Sequence, residues 1–304
     1  MCKTPSLSAE VTVQPVDIIG VDAAIIFSDI LVIPEAMGMT LVMEDARGPG
    51  FPNPLRSRSD IEQLRVQDPE KGLRFVMDAL RETKRALNGK VPLIGFSGSP
   101  WTLAAYMIEG GGTKDFHKAK QMMLDDPTSF EMLLEKLSSM VRLYLEAQIA
   151  AGADAVQIFD SWGGMLAPDH FRKWSLDWIF KICSTMRKDG APVIVFSKGA
   201  NHALKELSEI GADVVGIDWT VDIGNVREQI GEAVGIQGNL DPSVLYSQPE
   251  QIRAEVRSIL RKFGPNQGHV FNLGHGIAPT VPVHHAQAFV RAVKEESTAF
   301  HRRA

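Results

Sequence analysis

The stretch Pro192-Val-Ile-Val-Phe196-Ser-Lys-Gly199 decides the reading of the fold. Its first five residues form an unbroken apolar run, expected of a strand whose one face is covered by helices and whose other face meets a packed interior. Its last three are polar or glycine. Six more runs of this kind lie at 22–27, 92–96, 153–159, 212–217, 234–237 and 270–273. Longer amphipathic segments separate them, the pattern of βα units wound around a parallel sheet. Leu73, Val76, Met77, Leu80 and Leu87 recur at near-helical spacing and stop at Asn88-Gly89, a C-terminal cap signal. Asp126-Pro127 reads as a cap followed by the first helical residue, and Phe130, Leu133, Leu134, Leu137, Val141 and Leu145 then form one stripe until Gly152. Further helices are expected over 168–188, 202–210, 222–231, 249–263 and 282–298. No low-complexity linker or sharp repeat invites a cut, so residues 1–304 read as one domain.

All seven runs end in polar chemistry: Phe27-Ser-Asp29, Phe96-Ser-Gly-Ser99, Phe159-Asp-Ser-Trp162, Phe196-Ser-Lys-Gly199, Asp218-Trp219, Gly238-Asn-Leu-Asp241 and Gly274-His-Gly276. A doubly wound sheet gathers such residues at one switch point. A (β/α)8 barrel of the TIM type brings every strand end to one rim, the C-terminal face, and is the expected fold. Such a barrel has eight strands and only seven are apparent. The gaps between the first three runs, about 70 and 60 residues, exceed the roughly 30 of an average barrel unit. The best hidden candidate is 38–43, but Thr40, Glu44 and Asp45 read more like a hairpin arm. The alternative is a strand missing before residue 1.

The composition is that of an ordinary globular chain, with 44% hydrophobic and 23% charged residues among 304. A net charge of -5 offers no bulk positive field for nucleic acid or an anionic membrane. No apolar run approaches the ~20 residues of a membrane span. Two cysteines, Cys2 and Cys183, are too few for a disulfide framework or a thiolate-rich metal site, and a reducing, cytoplasmic compartment is expected.

Several rim residues carry both a chemical and a plain reading. Asp29 would sit over the barrel mouth, though a strand-terminal Asp is often only a turn cap. His275 lies between two glycines, where a ligand can approach the backbone, yet a hydrogen-bonded structural histidine fits equally. Tyr106 follows the turn after the second strand, at an apparent helix start, and packing is its commoner role. Ser161 has no GxSxG context and is not read as a nucleophile. Lys198 at a strand end could form a Schiff base, but a surface or substrate-anion contact is the better reading. The run Glu109-Gly-Gly-Gly-Thr113 lacks phosphate-loop spacing and reads as a flexible loop. His284-His285 has no metal-ligand partner at suitable spacing and reads as a solvated helix start. With no dinucleotide fingerprint, thiolate zinc set or HExxH, catalysis by side chains alone is expected, without cofactor or metal.

The strings Phe27-Ser-Asp-Ile-Leu31, Gly95-Phe-Ser-Gly-Ser-Pro-Trp-Thr-Leu103 with Tyr106-Met-Ile-Glu-Gly-Gly111, Gln237-Gly-Asn-Leu-Asp-Pro242 and Phe271-Asn-Leu-Gly-His-Gly276 resemble the uroporphyrinogen decarboxylase family in order and over essentially the whole chain. The resemblance implies a cofactor-free (β/α)8 barrel, usually a homodimer, that removes the four acetate carboxyls of uroporphyrinogen to give coproporphyrinogen in tetrapyrrole synthesis. It makes Asp29 the catalytic anion that accepts the pyrrole N–H groups. Tyr106, Ser161 and His275 then match positions that hydrogen-bond the acetate and propionate arms, while Phe27, Ile30 and Phe159 supply apolar walls.

One departure stands out. Family members begin with a segment carrying an ArgGlnAlaGlyArg motif on the first barrel strand and its loop, and this chain starts at Met1-Cys2-Lys3 without it. The resemblance makes those arginines anchors for substrate carboxylates. The expectation is a barrel without its first strand, with two exposed strand edges, without its bidentate cations, and with impaired or no activity. Two other readings remain at this point. A corrinoid-linked methyltransferase shares the barrel but holds zinc through His and Cys at strand ends, and Cys2 and Cys183 lie off the expected rim. A non-catalytic tetrapyrrole-binding remnant would fit the missing arginines.

Overall fold

The computed structural model describes residues 1–44, 48–265 and 267–301. Seven parallel strands form one curled sheet: β1 (Ala24–Ile25), β4 (Leu93–Gly98), β5 (Ala155–Asp160), β6 (Val193–Ser197), β7 (Val214–Gly216), β8 (Gly235–Gln237) and β9 (His269–Val270), in that spatial order. Each pairs in parallel with the next, from Ala24 opposite Leu93 to Gln237 opposite Val270. The curl brings non-adjacent strands together, because Gln237 Nε2 on β8 donates to Gln157 Oε1 on β5 at 3.2 Å inside the sheet. The architecture is the TIM-type barrel expected from the strand ends, with the seven strands that the sequence offered.

Side-chain parity is set by the surrounding helices. The helix Pro127–Ala150 buries Phe130, Leu133, Leu134, Leu137, Val141 and Leu145, the stripe read from the sequence, and Asp126 caps it by accepting from Ser129 N at 3.1 Å. Its Gln148, fully buried, donates from Nε2 to Phe96 O and accepts from Phe96 N, at 2.9 and 2.8 Å. A Cβ on Gly95 would run into that Gln148 side chain. Residue 95 therefore faces the helices and Phe96 faces the barrel interior, as period-two alternation requires.

The seam between β1 and β9 is closed by other means. Phe27 N donates not to a strand but to Thr12 Oγ1, at 2.9 Å, and Ser8 Oγ donates to Phe27 O at 2.6 Å. Both hydroxyls come from the helix Pro5–Gln14. Across the seam, the final helix Val283–His301 holds the segment before β1: Gln287 Nε2 donates to Ile18 O, and Lys294 Nζ reaches Gly20 O and the Asp22 carboxylate, at 2.7 to 2.8 Å. The expectation of two bare strand edges is thus corrected in part: just beyond β1, two hydroxyls bond the Phe27 backbone in place of a neighbouring strand.

Other departures have local causes. The segment 38–43 contributes no barrel strand; β2 (Val42–Glu44) pairs antiparallel with β3 (Gly48–Gly50) as a separate ribbon, and Asp45 lies outside the described residues. The helix expected at 168–188 is broken into Pro168–Phe171, a wider π-type turn Arg172–Leu176, and Asp177–Thr185. The helix Pro5–Gln14 escaped notice because it buries only Ser8, Ala9 and Thr12, so no apolar stripe marks it. His285 is buried, with Nδ1 at 2.7 Å from Leu245 O, and is not a solvated residue, whereas His284 is exposed. Residues 110–113 do form a loop, tied down where Phe51 N donates to Gly110 O at 2.7 Å.

Candidate active site

The strand ends converge on the C-terminal rim, and beneath them a run of aromatic rings lines the interior. Phe96 on β4 meets Phe159 on β5 edge to face at 5.6 Å, Phe159 meets Phe196 on β6 at 6.2 Å, and Phe196 meets His275, after β9, at 6.3 Å. His275 then packs against Trp219, after β7, at 6.4 Å. Inward-facing residues of neighbouring strands supply successive rings, so the series is a consequence of sheet parity. It forms an apolar floor with a single imidazole at one end.

Asp29 stands where β1 turns into the helix Val32–Ala36. Its Oδ1 accepts from Leu31 N at 2.8 Å, the turn-capping role foreseen for it, and Oδ2 makes no hydrogen bond to the described residues. Tyr106, in the last turn of the helix Pro100–Glu109 and not at its start, is close enough to feel that charge. Burial raises its phenol pKa, Trp162 opposes the rise, and Asp29 adds to it, so the hydroxyl keeps its proton and can donate. Tyr106, Phe116 and Trp162 form a ring cluster with centroids 4.8 to 6.3 Å apart. Ser161 is half-buried and its hydroxyl makes no bond to the described residues. Phe27 and Ile25 are 37% and 42% exposed at the seam, while Ile30 and Phe159 are half-buried.

His275 titrates below the ordinary imidazole value, because of partial burial first and the Lys198 charge second, with Asp218 opposing. It is therefore neutral at pH 7 and able both to donate and to accept. Gly274 lets it approach: a Cβ there would press on the Asp218 and Trp219 backbone. Asp218 itself is occupied. Its carboxylate accepts from Gly199 N at 2.7 Å, Thr220 N at 2.9 Å and the Thr220 hydroxyl. Burial would raise its pKa, but these bonds outweigh burial and leave it low.

The sequence reading passed over a buried carboxylate below Ser161. Asp160 is fully buried and accepts four hydroxyls: Ser99 Oγ at 2.6 Å, Thr102 Oγ1 at 3.0 Å, Ser175 Oγ at 2.7 Å and Ser197 Oγ at 2.8 Å. Ser99 also caps the helix that carries Tyr106, accepting from Thr102 N at 3.1 Å, and Trp101 Nε1 donates to Trp162 O at 2.9 Å. The wider turn at Arg172–Leu176 brings Ser175 into this group. Desolvation raises the Asp160 pKa against the pull of the hydroxyls. The signal was present as a serine or threonine after the second, third and fourth runs, but only the fold shows them sharing one acceptor.

No group of three His, Cys, Asp or Glu suited to a metal ion occurs among the described residues. Cys183 lies off the rim, buried, its thiol pushed up to about 12 by burial. No helix among the described residues is long and apolar enough to cross a membrane.

A TIM-type barrel with a carboxylate, a phenol and an imidazole on its C-terminal rim above an aromatic floor is the class these features define. The family model described as "Uroporphyrinogen decarboxylase (URO-D)" matches residues 1–296. A protein named uroporphyrinogen decarboxylase from Pseudomonas aeruginosa is 53% identical over 306 residues, covering 99% of this chain and 86% of its own length. One of the same name from Pseudomonas savastanoi pv. phaseolicola is 51% identical over 305 residues, with the same coverage. This chain belongs to the uroporphyrinogen decarboxylase family. Among solved structures, a methyltransferase from Methanosarcina mazei superposes with a TM-score of 0.82 at 22% identity, over 96% of this chain and 86% of its own. A B12-independent methionine synthase from Shewanella sp. W3-18-1 gives 0.65 at 10% identity, over 98% and 88%. At such identities these two share the fold.

Proposed function

We propose that the chain decarboxylates the acetate arms of uroporphyrinogen to give coproporphyrinogen, in haem biosynthesis, acting as a cofactor-free carboxy-lyase. The observation that carries the reading is the aromatic floor beginning on β4, with Asp29 following the neighbouring strand β1, in a chain of this family. A tetrapyrrole offers a broad apolar face to the rings, inward N–H groups to a carboxylate and charged arms to the rim.

Each turnover adds a proton to a pyrrole ring carbon, which makes the ring cationic. The bond between the arm's methylene and its carboxylate then breaks, CO2 leaves, and the electron pair neutralises the ring. The methylene takes up a proton to become methyl as the ring proton is lost, so one proton is consumed per CO2. Asp29, as carboxylate, accepts the pyrrole N–H groups through the oxygen that Leu31 leaves free and favours the cationic intermediate electrostatically. Tyr106, Ser161 and neutral His275 hydrogen-bond the arms, and Phe27, Ile30 and Phe159 enclose the ring system. The reading carries with it one domain over residues 1–304, a homodimer and a cytoplasmic setting. Among the described strand ends, Lys198 is the cation available to a polycarboxylate substrate.

The test is anaerobic incubation of the 304-residue chain with uroporphyrinogen, followed by separation of the porphyrins formed on oxidation. Asp29→Asn is expected to lower product formation by roughly 10²-fold to 10³-fold while uroporphyrin still binds. Equal turnover by the two proteins would overturn the assignment.

A further inference from the structure

Lys198 is a cation in an unusual position. It follows β6 at the rim, half-buried, and enters no ion pair among the described residues. Asp218, whose charge acts on the same imidazole as Lys198, has its oxygens taken by Gly199 and Thr220. The Lys198 backbone is pinned on both sides: its N–H donates to Asp160 O at 3.2 Å, and its C=O accepts from Gly164 N at 3.0 Å. A Cβ on Gly164 would collide with that carbonyl, so the approach of the two chain segments is built in. The ammonium lies 5.9 Å from the Trp219 ring centroid, at the end of the aromatic floor where His275 sits. An ammonium with no counter-charge among the described residues is open to pairing with an incoming anion.

On the reading proposed above, we infer that Lys198 binds a carboxylate arm of the tetrapyrrole, which passes between its ammonium and His275 when the ring system rests on the aromatic floor. Three features select this site over a chance surface lysine. The strand ends carry no other Lys or Arg. The ammonium stands over the Trp219 ring, 5.9 Å from its centroid, at the end of the floor. The neighbouring imidazole is neutral, so a carboxylate there accepts from it without competing for a second charge. An ammonium and one imidazole N–H together satisfy two acceptor positions of a carboxylate. Lys198 is thus a binding and orienting residue, and it sets a preference for anionic arms at this end of the floor.

The probe is uroporphyrin, titrated into the purified chain and followed by its own absorption, so that the signal does not depend on the tryptophans. Wild-type protein should bind with an affinity that falls as salt rises. Lys198→Met should bind about tenfold more weakly with a shallower salt dependence, and Lys198→Arg should recover most of both. Circular dichroism of the three proteins reports folding. A folded Lys198→Met protein with unchanged affinity and salt slope would overturn the inference and leave the decarboxylase reading standing, as would a wild-type affinity indifferent to salt. Absence of any uroporphyrin binding by the wild-type chain would overturn both. Met and Arg variants that are equally weak would show that Lys198 shapes the loop and does not pair with an anion.

Discussion

The wall from β4 to β6 and the seam between β1 and β9 build the same rim in opposite ways. In the wall, strands of five or six residues run in unbroken register, and the carboxylate at their end is fully buried under four hydroxyls. At the seam each strand has two residues, and Ile25, Phe27 and Val270 stay 37% to 42% exposed. There Ser8 and Thr12 bond the Phe27 backbone on the side where a neighbouring strand would. The two candidate groups with the most direct chemical readings, Asp29 and His275, both sit beside the seam. The wall supplies rigidity, and the seam strands lead to the reactive groups, Asp29 held by one hydrogen bond and His275 leaning on Phe196 and Trp219.

Packing should show the contrast most strongly. Phe196, 6% exposed between Phe159 and His275, and Phe27, 37% exposed at the seam, are the same side chain in the two settings. Phe196→Ala should cost about 3–5 kcal/mol, and Phe27→Ala about 1–2 kcal/mol, because the second ring leaves water only in part on folding. Urea denaturation of both variants measures this. Equal costs would mean that the seam is buried in the working protein and that the comparison describes only an isolated chain.

How much of this was legible beforehand follows the same division. The wall strands were read within a few residues, since Val193 to Phe196 is apolar at every position. The helix Pro127–Ala150 was read from Asp126 to its last turn, because its stripe and its cap are both local signals. The helix Pro5–Gln14 was invisible: its contribution is two hydroxyls aimed at Phe27, and hydroxyls aimed at a backbone leave no periodicity. Asp29, Tyr106, Ser161 and His275 stood out at or after the strand ends with two readings each, and their roles came only from a resemblance. Asp160 was missed although it adjoins Ser161, because its partners Ser99 and Thr102, Ser175 and Ser197 come from three separate segments. A shared acceptor becomes visible only once the chain is folded.

A smaller effect probes the wall's tightness directly. A Cβ at Gly163 would overlap the Asp160 carboxylate and the Ser197 hydroxyl. Gly163→Ala should therefore destabilise by about 1–3 kcal/mol. Removing one obstructing oxygen should return part of that loss, so Gly163→Ala and Ser197→Ala should be favourably coupled in a double-mutant cycle. Strict additivity would show that the loop at Gly163 yields and that the wall is softer than its hydrogen bonds suggest.

The subtlest consequence is a pH dependence seated in the wall. Desolvation lifts the Asp160 pKa above the ordinary value of 3.8, and the four hydroxyls only moderate this. In the window between 3.8 and that raised value, the folded protein holds a proton the unfolded chain has released. The stabilising contribution of this linkage is complete below 3.8 and is lost as pH climbs through the folded-state value. Asp160→Asn carries no titrating group at this site. The stability of the wild type relative to Asp160→Asn should therefore fall as pH rises from about 4, measured as the difference in urea midpoints across a pH series. A difference that widens in favour of the wild type would mean that the hydroxyls of Ser99, Thr102, Ser175 and Ser197 stabilise the carboxylate more than burial penalises it. The wall would then be holding a charge, and its field would reach the Lys198 backbone that hydrogen-bonds the carbonyl of the same aspartate.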